Sequence, residues 1–536
     1  MRFWANIIIG ILLLAAIIIS LQPVRVGMYP YNLDAITDAR AAEHIVENGN
    51  MNYEEGKWYK ENNHTAPTPV QNALLAGISL IAMEHPLLIG QYFEAFIFAM
   101  SILGWSILAR KMTGKDFVAV GTAAFLTFFG SYVNVGVSVW KESLGICLMP
   151  YIFYLYYSEC KIKRFLALLS LVVLPLVHHY VALLTYLAFS YTALWELSEK
   201  IREHEEIKME IILLIYMLAL WIYLYFYYTM WSFNRVEYIS PMAEAWLLLA
   251  LFVILSFLGI RLIEHRGSDK GLQTAFFMGT IMTAFLFLIM QQPLFPDTVH
   301  LGNASQFLIG YFFIIPFVAV GVILLARSDW KYKSLYFAIL FSPSTMILFG
   351  FLRGFDLVSY IITFRTFDFL DFSICMAFLS GLGYISKKIK IKKFPYKKEA
   401  ILAASIVALM TTTPMFSHTQ QVFGVENYVE PWAVSTITYL YENSVNNYSS
   451  DEHMYELGRN FYDMHGNFFL PYVMIYNQTP PSDYLIIRER WIYGAQMYPE
   501  RPIPIDNATI QKYLNEYDVL YIAGPYGDRV YILKAQ

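Results

Sequence analysis

The stretch Tyr29–Gly49, YPYNLDAITDARAAEHIVENG, directly follows the first long apolar run of the chain. Asn32 or Asp34 can cap a helix over residues 35–48, because short polar side chains accept hydrogen bonds from first-turn N–H groups. Gly49 suits the position after the last turn, where the backbone often becomes left-handed. The stretch therefore predicts an acidic helix beside the membrane.

The two aspartates of this helix are its candidate functional residues. Asp34 and Asp38 are four residues apart, so their carboxylates lie on one side of the helix. Two close carboxylates favour a bound cation, or one raised pKa and a role as general base. The structural alternative is that Asp34 only caps the helix and Asp38 is solvated.

The composition is that of a membrane protein. The 536 residues are 57% hydrophobic and only 15% charged, as expected of a polytopic chain and not of a soluble one. The three cysteines, Cys147, Cys160 and Cys375, show no paired spacing, which argues against a disulfide framework or a zinc site. No phosphate-binding glycine loop occurs in a strand-to-helix setting, which argues against a nucleotide-driven pump. Neither a nucleotide cofactor nor a nucleic-acid partner is predicted.

Apolar runs divide the first part of the chain into about 13 predicted transmembrane helices, and the N-terminal run is read as a retained span. A further short run, Val70–Met83, is expected to be an interfacial or re-entrant helix within the first outer loop, residues 22–86. The predicted spans are Trp4–Leu21, Leu87–Ala109, Phe117–Val135, Leu144–Tyr157, Phe165–Val177, Val181–Trp195, Met209–Tyr228, Ala243–Ile260, Leu272–Met290, Phe307–Ala326, Leu335–Phe351, Phe367–Ile385 and Ala400–Met415.

Charge orients these spans. With the N-terminus inside, the inner loops and Arg2 carry 23 Lys and Arg residues, whereas the outer loops before the tail carry eight. This asymmetry is what the positive-inside rule expects. We therefore predict a multi-pass protein of the cell (plasma) membrane with a cytoplasmic N-terminus.

The tail differs from the rest of the chain. Residues 1–415 form the predicted transmembrane domain, and residues 416–536 are polar, with alternating strand-like pieces DYLIIRERW, DVLYIAG and RVYILKA. The odd number of spans places this small α/β domain on the extracytoplasmic side.

The outer ends of later spans carry ionisable residues, which are costly at membrane depth and are therefore functional candidates. Arginine suits a phosphate because its guanidinium donates two parallel hydrogen bonds. As alternatives, Lys141 can snorkel or pair with Glu142. The two histidines can be surface residues, and Arg353 can contact lipid headgroups. These candidates are Lys141, Glu142, His178, His179, Arg353 and Arg365.

The order of these features resembles the GT-C class of membrane glycosyltransferases, which includes protein O-mannosyltransferases and the catalytic subunits of oligosaccharyltransferase. The early aspartate helix is followed by TAPTPVQNALLAGISLI, by LGWSILARKMTG and by the hairpin LTFFGSYVNVGVSVWKESLGICLMPYIFYLYY. The likeness covers roughly the first 200 residues and extends weakly to FRTFDFLDFSICMAFLSGLGY.

The resemblance implies inverting transfer of a sugar from a polyprenyl-phosphate-linked donor to a glycan, lipid or protein acceptor at the outer face of the bilayer. Asp34 would be the base or a cation ligand, and Asp38 stands where many relatives have His or Tyr. Glu142 and Arg365 would face the donor phosphate. A divalent cation, Mg²⁺ or Mn²⁺, held by Asp34 and Asp38 would be compatible with this role.

Three other readings stay open. Oligosaccharyl transfer is the first, although RERWIYG at Arg488–Gly494 lacks the core of the WWDYG acceptor motif. A transporter, flippase or polymerase for lipid-linked glycans is the second. Polar groups or broken helices at mid-span would be typical of a transporter, and here the ionisable groups gather at the outer ends. A scaffold that binds a partner through its outer domain is the third.

Overall fold

A computed structural model describes residues 2–26, 29, 32–50, 68–230, 243–264, 278–281, 309–328, 330–354, 357–388, 397–410, 429–497 and 501–535. The predicted domain boundary at residue 415 lies outside these ranges, as does most of the predicted span Leu272–Met290.

Long apolar helices form the first part of the molecule. The described helices here are α1 (Arg2–Ser20), α2 (Gln22–Val26), α3 (Leu33–Asn48), α4 (Pro69–Ala82), α5 (Pro86–Thr113), α6 (Asp116–Phe128), α7 (Gly130–Val137), α8 (Lys141–Tyr156), α9 (Lys161–Val177), α10 (His179–Glu203), α11 (Lys208–Met230), α12 (Ala243–Glu264), α13 (Ile309–Arg327), α14 (Lys333–Arg353), α15 (Leu357–Thr366), α16 (Asp371–Lys388) and α17 (Lys397–Met410).

These helices place the chain in a membrane. Among the described residues, five are long and apolar enough to cross a bilayer, or six if the bent pair α6 and α7 is one span. The predicted 13 spans are therefore matched only in part by length and composition. The other apolar helices are shorter or carry more charge.

The predicted span Phe117–Val135 is not one straight helix. It is broken at Phe129, whose backbone is extended, and its two halves are bent by 67°. The shorter half, α7, therefore turns away from the axis of α6. A helix break at membrane depth is tolerated where other protein groups cover the freed backbone. Here Gln91 on α5 donates to the carbonyl of Val137 at the end of α7, at 2.8 Å.

Close helix packing uses small residues. A side chain at Gly321 of α13 would collide with the backbone of Ala377, and one at Gly381 of α16 would collide with the backbone of Phe317. Small residues let membrane helices approach closely where lipid supplies no hydrophobic driving force. Helices α13 and α16 accordingly form an extensive contact.

The C-terminal part, residues 429–535, is built on a five-stranded mixed sheet. Its strands are β1 (Asn447–Ser449), β2 (His465–Asn467), β3 (Tyr484–Arg488), β6 (Asp518–Ala523) and β7 (Val530–Lys534), in the order β2-β1-β3-β7-β6. Strands β1, β2 and β3 pair in parallel, whereas β7 is antiparallel to both β3 and β6. A separate hairpin pairs β4 (Ala495–Met497) with β5 (Arg501–Ile503).

Helices cover both faces of this sheet. The helices of this part are α18 (Pro431–Glu442), α19 (Glu452–Tyr462), α20 (Leu470–Ile475) and α21 (Asn507–Glu516). Successive residues of β3 point to opposite faces, so Leu485 and Ile487 belong to one apolar cluster and Ile486 to the other. The buried strand residues therefore serve two small cores.

The helix α3 joins the two parts of the molecule. Its Ile36 belongs to the apolar cluster of the C-terminal part, and its Ala42 belongs to the core of the membrane part. Arg40 Nη1 donates to the carbonyl oxygens of Arg459 and Asn460 at 3.0 and 2.8 Å. The acidic helix is thus held between the bundle and the C-terminal part.

Candidate active site

The acidic helix is capped at both ends by its own sequence. The side chain of Asn32 accepts a hydrogen bond from the N–H of Asp34 at 2.8 Å, so Asn32, and not Asp34, is the cap. Gly49 is left-handed with φ 66° and its N–H bonds the carbonyl of Ile45. The predicted helix over residues 35–48 is observed as Leu33–Asn48.

The two aspartates of this helix differ in environment. Asp34 is exposed, whereas Asp38 is only 3% exposed. A buried carboxylate needs a compensating charge, and Asp38 has one in Lys141. The Nζ atom of Lys141 lies 2.7 Å from Oδ1 of Asp38. The spacing of the two carboxylates indicated a common side, but burial separates their roles.

Lys141 lies at the start of α8 with its neighbour Glu142. Its ammonium reaches Asp38, so the lysine does not simply extend toward lipid headgroups. Glu142 is buried at 5% exposure and lies in electrostatic range of Asp368. The dipeptide therefore connects the acidic helix to the segment that carries Arg365.

The histidine pair lies at the junction of α9 and α10. The rings of His178 and His179 are 4.9 Å apart, and Nδ1 of His178 accepts a hydrogen bond from the N–H of Val181 at 3.4 Å. Lys141 and Arg365 both act electrostatically on the two rings. The histidines are therefore part of the same polar region as the Asp38–Lys141 pair.

The two predicted arginines lie in the last turns of two successive helices. Arg365 is half-buried in the last turn of α15 and lies in electrostatic range of Asp368 and both histidines. Arg353 ends α14 and donates from Nη1 to the hydroxyl of Ser359 on α15 at 3.4 Å. Arg365 is thus grouped with the polar region, whereas Arg353 is placed by its own contact with α15.

The structure therefore brings several predicted residues together at one end of the bundle. Asp38, Lys141, Glu142, His178, His179 and Arg365 are linked by the contacts and electrostatic interactions given above. Asp34 lies one helical turn from Asp38 on the exposed side of α3. We call this group of seven residues the bundle-end cluster.

Two buried acids beside this cluster were missed in the sequence because they lie within apolar runs. Glu94 on α5 is 1% exposed and lies beside Ser143. Asp371, at the start of α16, accepts from the hydroxyl of Ser131 with both carboxylate oxygens, at 2.8 Å each. A carboxylate inside an apolar run is itself the signal that would have identified them.

Asp34 and Asp38 are the predicted ligands of a divalent cation. Among the described residues, no three His, Cys, Asp or Glu side chains form a group suited to hold a metal ion. The cation beside Asp38 is the ammonium of Lys141. The carboxylate of Asp38 is therefore already balanced by a positive charge.

The stretch RERWIYG is an internal structural element. Arg488 Nη2 lies 2.8 Å from Glu430 Oε1, Arg490 Nη1 bonds the same oxygen, and Arg490 Nε lies 2.6 Å from Asp528 Oδ1. His453 Nε2 lies 3.4 Å from Glu430 Oε2. Glu430 and His453 have no exposed surface. We call these five residues the Glu430 network.

The Glu430 network has shifted proton affinities. Burial raises the pKa of Glu430 to about 7, against the opposing effect of Arg488. Burial also lowers the pKa of His453 to about 3, and the nearby charge of Arg488 acts in the same direction. His453 is therefore neutral at pH 7. The charged members of the network lie inside the C-terminal part.

Comparison with known proteins relates the chain to solved membrane enzymes by structure only. No model of a known protein family matches the chain, and no curated protein matches it. Arabinofuranosyltransferase AftD from Mycobacteria is similar with a TM-score of 0.45 and 11% identity, over 100% of this chain and 41% of AftD. The chain thus spans about two fifths of the length of AftD.

A second similar structure is of comparable length. ArnT from Cupriavidus metallidurans, solved bound to undecaprenyl phosphate, has a TM-score of 0.39 and 10% identity over 99% of this chain and 98% of ArnT. Likenesses at this level do not by themselves assign an activity to the chain.

Proposed function

We propose that this chain is an integral membrane glycosyltransferase that transfers a sugar from a polyprenyl-phosphate-linked donor to an acceptor. The observation that carries the proposal is the bundle-end cluster, in which the Asp38–Lys141 pair at 2.7 Å lies with Glu142, two histidines and Arg365. Such groups are costly at membrane depth and are usually retained for function.

In the proposed reaction, Asp34 is the base. Its carboxylate is exposed, whereas that of Asp38 is engaged by Lys141. Asp34 takes the proton of an acceptor hydroxyl as its oxygen attacks the anomeric carbon. The bond from that carbon to the phosphate oxygen breaks with inversion, and polyprenyl phosphate leaves with the bonding electrons. No nucleotide is needed because the lipid phosphate is already a leaving group.

Arg365 is the proposed phosphate ligand. A guanidinium can donate two hydrogen bonds to phosphate oxygens and stabilise the charge that develops on the leaving group. Lys141, oriented by Asp38, adds positive charge at the same end of the bundle. Glu142 and the histidines His178 and His179 are proposed to position these cations and the lipid phosphate.

A divalent cation is a separate proposal, and no step is derived through it. If Mg²⁺ or Mn²⁺ is bound by Asp34 and Asp38, EDTA should abolish transfer and either ion should restore it. Transfer that continues in EDTA would show that no divalent cation is required and that the ammonium of Lys141 is the positive charge that pairs with Asp38.

The proposed orientation follows from charge. We propose that the N-terminus is cytoplasmic and that the bundle-end cluster and the C-terminal part lie on the outer side of the plasma membrane. The excess of Lys and Arg in the other set of loops supports this orientation. Reporter fusions after residue 115 and after residue 535 should report opposite sides, and a common side would overturn the orientation.

The test of the function uses a matched pair of variants on α3. Asp34→Asn should lower transfer about 10²–10⁴-fold, the usual contribution of a general base. Glu47→Gln changes an exposed acid on the same helix and should leave transfer within about twofold of wild type. Purified protein would be incubated with polyprenyl-phosphate sugars and the products counted. Near-normal transfer by Asp34→Asn would contradict the assignment of Asp34 as the base.

A further inference from the structure

The first turn of α4 carries two buried carboxamides. Gln71 and Asn72 are each 1% exposed. In the part of the chain that the structure describes, no hydrogen-bond partner is found for the amide nitrogen or oxygen of either side chain. Buried polar atoms are nearly always paired, so four orphaned atoms on adjacent residues require an explanation.

Two nearby polar side chains of similar burial have partners within the fold. Gln91 on α5 is equally buried, and its amide donates to the carbonyls of Ser20 and Val137 at 2.7 and 2.8 Å. Ser79, two turns along the same face of α4 from Gln71, donates to the carbonyl of Glu84. Within α4, the buried side-chain atoms that lack a partner among the described residues are therefore all in its first turn.

The same turn offers further donors. Thr68 precedes α4, is buried and makes no side-chain capping hydrogen bond. The first N–H groups of a helix have no intrahelical acceptors. The orphaned amides of Gln71 and Asn72 thus lie beside backbone N–H groups that have no acceptor within the helix.

Helix α4 packs against elements that carry or adjoin the bundle-end cluster. Helix α4 packs against α3, which carries Asp34 and Asp38, and against α9, which leads into His178. It also packs against the start of α5. A ligand held by α4 would therefore lie between elements that supply the proposed base and the histidine pair.

The chemistry of the amides selects the ligand. A phosphate would accept hydrogen bonds from the two amide nitrogens but would leave both amide oxygens unpaired. A lipid tail would satisfy neither atom type. A sugar hydroxyl both donates and accepts, so neighbouring hydroxyls of one ring can pair with both atoms of a carboxamide.

We propose that Gln71 and Asn72 form a subsite that binds the hydroxyl groups of a sugar ring beside the bundle-end cluster. This inference rests on the proposed glycosyl transfer and adds the residues that hold the sugar. The ring is either the sugar carried by the donor or a sugar of the acceptor, since both present the same hydroxyl chemistry.

The test measures thermal unfolding of the full chain in detergent with three sets of probes. Undecaprenyl phosphate alone reports the phosphate contact. Undecaprenyl phosphate carrying glucose, mannose or arabinofuranose reports the donor sugar, and soluble oligosaccharides of the same sugars report the acceptor. The variants are Gln71→Leu and Asn72→Leu, which keep the side-chain size and remove the amide atoms.

The control is Ser79→Ala on the same buried face. It removes a hydroxyl that has a partner within the fold, so it should lower the unfolding temperature without changing any ligand-induced shift. The two Leu variants should be at least as stable as wild type without ligand, because they remove unpaired buried atoms.

With ligand, the Leu variants should keep the shift caused by undecaprenyl phosphate alone and bind the sugar-bearing probe about tenfold more weakly. If the variants lose the thermal shift caused by the lipid-linked sugar, the bound ring is the donor sugar. If they lose the shift caused by the oligosaccharide, the bound ring belongs to the acceptor. Unchanged sugar binding by both variants would overturn the subsite while leaving the glycosyltransferase proposal intact. A Leu variant less stable than wild type without ligand would also overturn it, because the amides would then be structural. A wild type stabilised by none of the three sets would overturn both proposals.

Discussion

Two groups of charged residues in this protein look alike in composition and differ in construction. The Glu430 network combines two carboxylates, two guanidiniums and a neutral histidine within residues 430–528, and its glutamate and histidine have no exposed surface. The bundle-end cluster collects its residues from four helices, and part of it is exposed, since Lys141 retains 19% of its side-chain surface.

This difference separates structural charges from candidate functional ones. A network of matched charges around a fully buried glutamate constrains how segments of one unit pack. A partly exposed group assembled by distant helices can meet a ligand from outside. The presence of ionisable residues in the sequence therefore does not identify a functional site. Their exposure, and whether their neighbours come from distant helices, separates the two kinds of group.

The largest expected effect breaks the Glu430 network. Glu430→Gln leaves Arg488 and Arg490 buried without their shared carboxylate and should cost about 3–5 kcal/mol of unfolding free energy. Transfer per folded molecule should stay within about twofold of wild type. Unfolding in denaturant and transfer at low temperature would be measured, with exposed Glu442→Gln as the matched control. A stable but inactive Glu430→Gln would contradict the structural role.

The Asp38–Lys141 pair is expected to behave differently. Asp38→Asn leaves the Lys141 ammonium without its 2.7 Å partner and should cost about 3 kcal/mol. Adding Lys141→Met removes the unpaired charge, so the double variant should regain most of the stability. Transfer should stay low in the double variant, because the positive charge is gone. A double variant with restored transfer would place this pair in the same structural class as the Glu430 network.

Substitutions of Arg353 and Arg365 should differ in their effects. Arg365→Ala should raise the donor KM about 10–100-fold, or about 1.4–2.7 kcal/mol, because it removes a charge from the bundle-end cluster. Arg353→Ala loses a 3.4 Å hydrogen bond to Ser359 and should change donor KM less. Steady-state kinetics at varied donor concentration would separate the two. Equal donor KM values for wild type and Arg365→Ala would count against phosphate binding.

The histidine of the Glu430 network predicts a pH effect on stability. The pKa of His453 is lowered from 6.5 to about 3 by burial, so its contribution is complete above pH 6.5 and is lost as the pH falls toward 3. At pH 5 the loss should be about 2 kcal/mol, at 1.36 kcal/mol for each pKa unit. Glu430, with a pKa raised to about 7, acts in the opposite direction.

The comparison of wild type with His453→Gln isolates this effect, because Glu430 is present in both. Wild type should lose more stability than the variant between pH 7 and pH 5, measured by unfolding at both pH values. Parallel pH dependence in the two proteins would show that His453 takes up no proton on unfolding.

A further expected effect concerns the connection between the two parts. Arg40→Met keeps the length of the side chain but removes hydrogen bonds to the carbonyls of Arg459 and Asn460. The cost should be about 1–3 kcal/mol, since each bond involves a charged donor. Hydrogen exchange should rise in α19 and the first turns of α3. Unchanged exchange in both segments would show that other contacts hold them.

The acidic helix was predictable because its signals are local. Its cap, its last turn and its glycine lie within one stretch, and the observed helix Leu33–Asn48 begins two residues before the predicted one. The break at Phe129 was not predictable from hydropathy, because both halves of Phe117–Val135 are apolar. The bend depends on how α6 and α7 pack against other helices.

The site residues divide in the same way. Ionisable residues at the ends of apolar runs pointed to Lys141, the histidines and Arg365. That Lys141 pairs with Asp38 across about a hundred residues of sequence is visible only in the packed helices. Glu94 and Gln71 were overlooked because a window of average hydropathy absorbs a single polar residue.

The sequence by itself determined that this is a membrane protein, where its acidic helix begins and ends, and which ionisable residues lie near the ends of its apolar runs. These properties depend on neighbours along the chain, through hydropathy and capping. Only the tertiary structure decided which carboxylate meets Lys141, that RERWIYG belongs to an internal network, and that two amides on α4 are buried without partners among the described residues. Those outcomes depend on contacts between segments that the sequence keeps far apart.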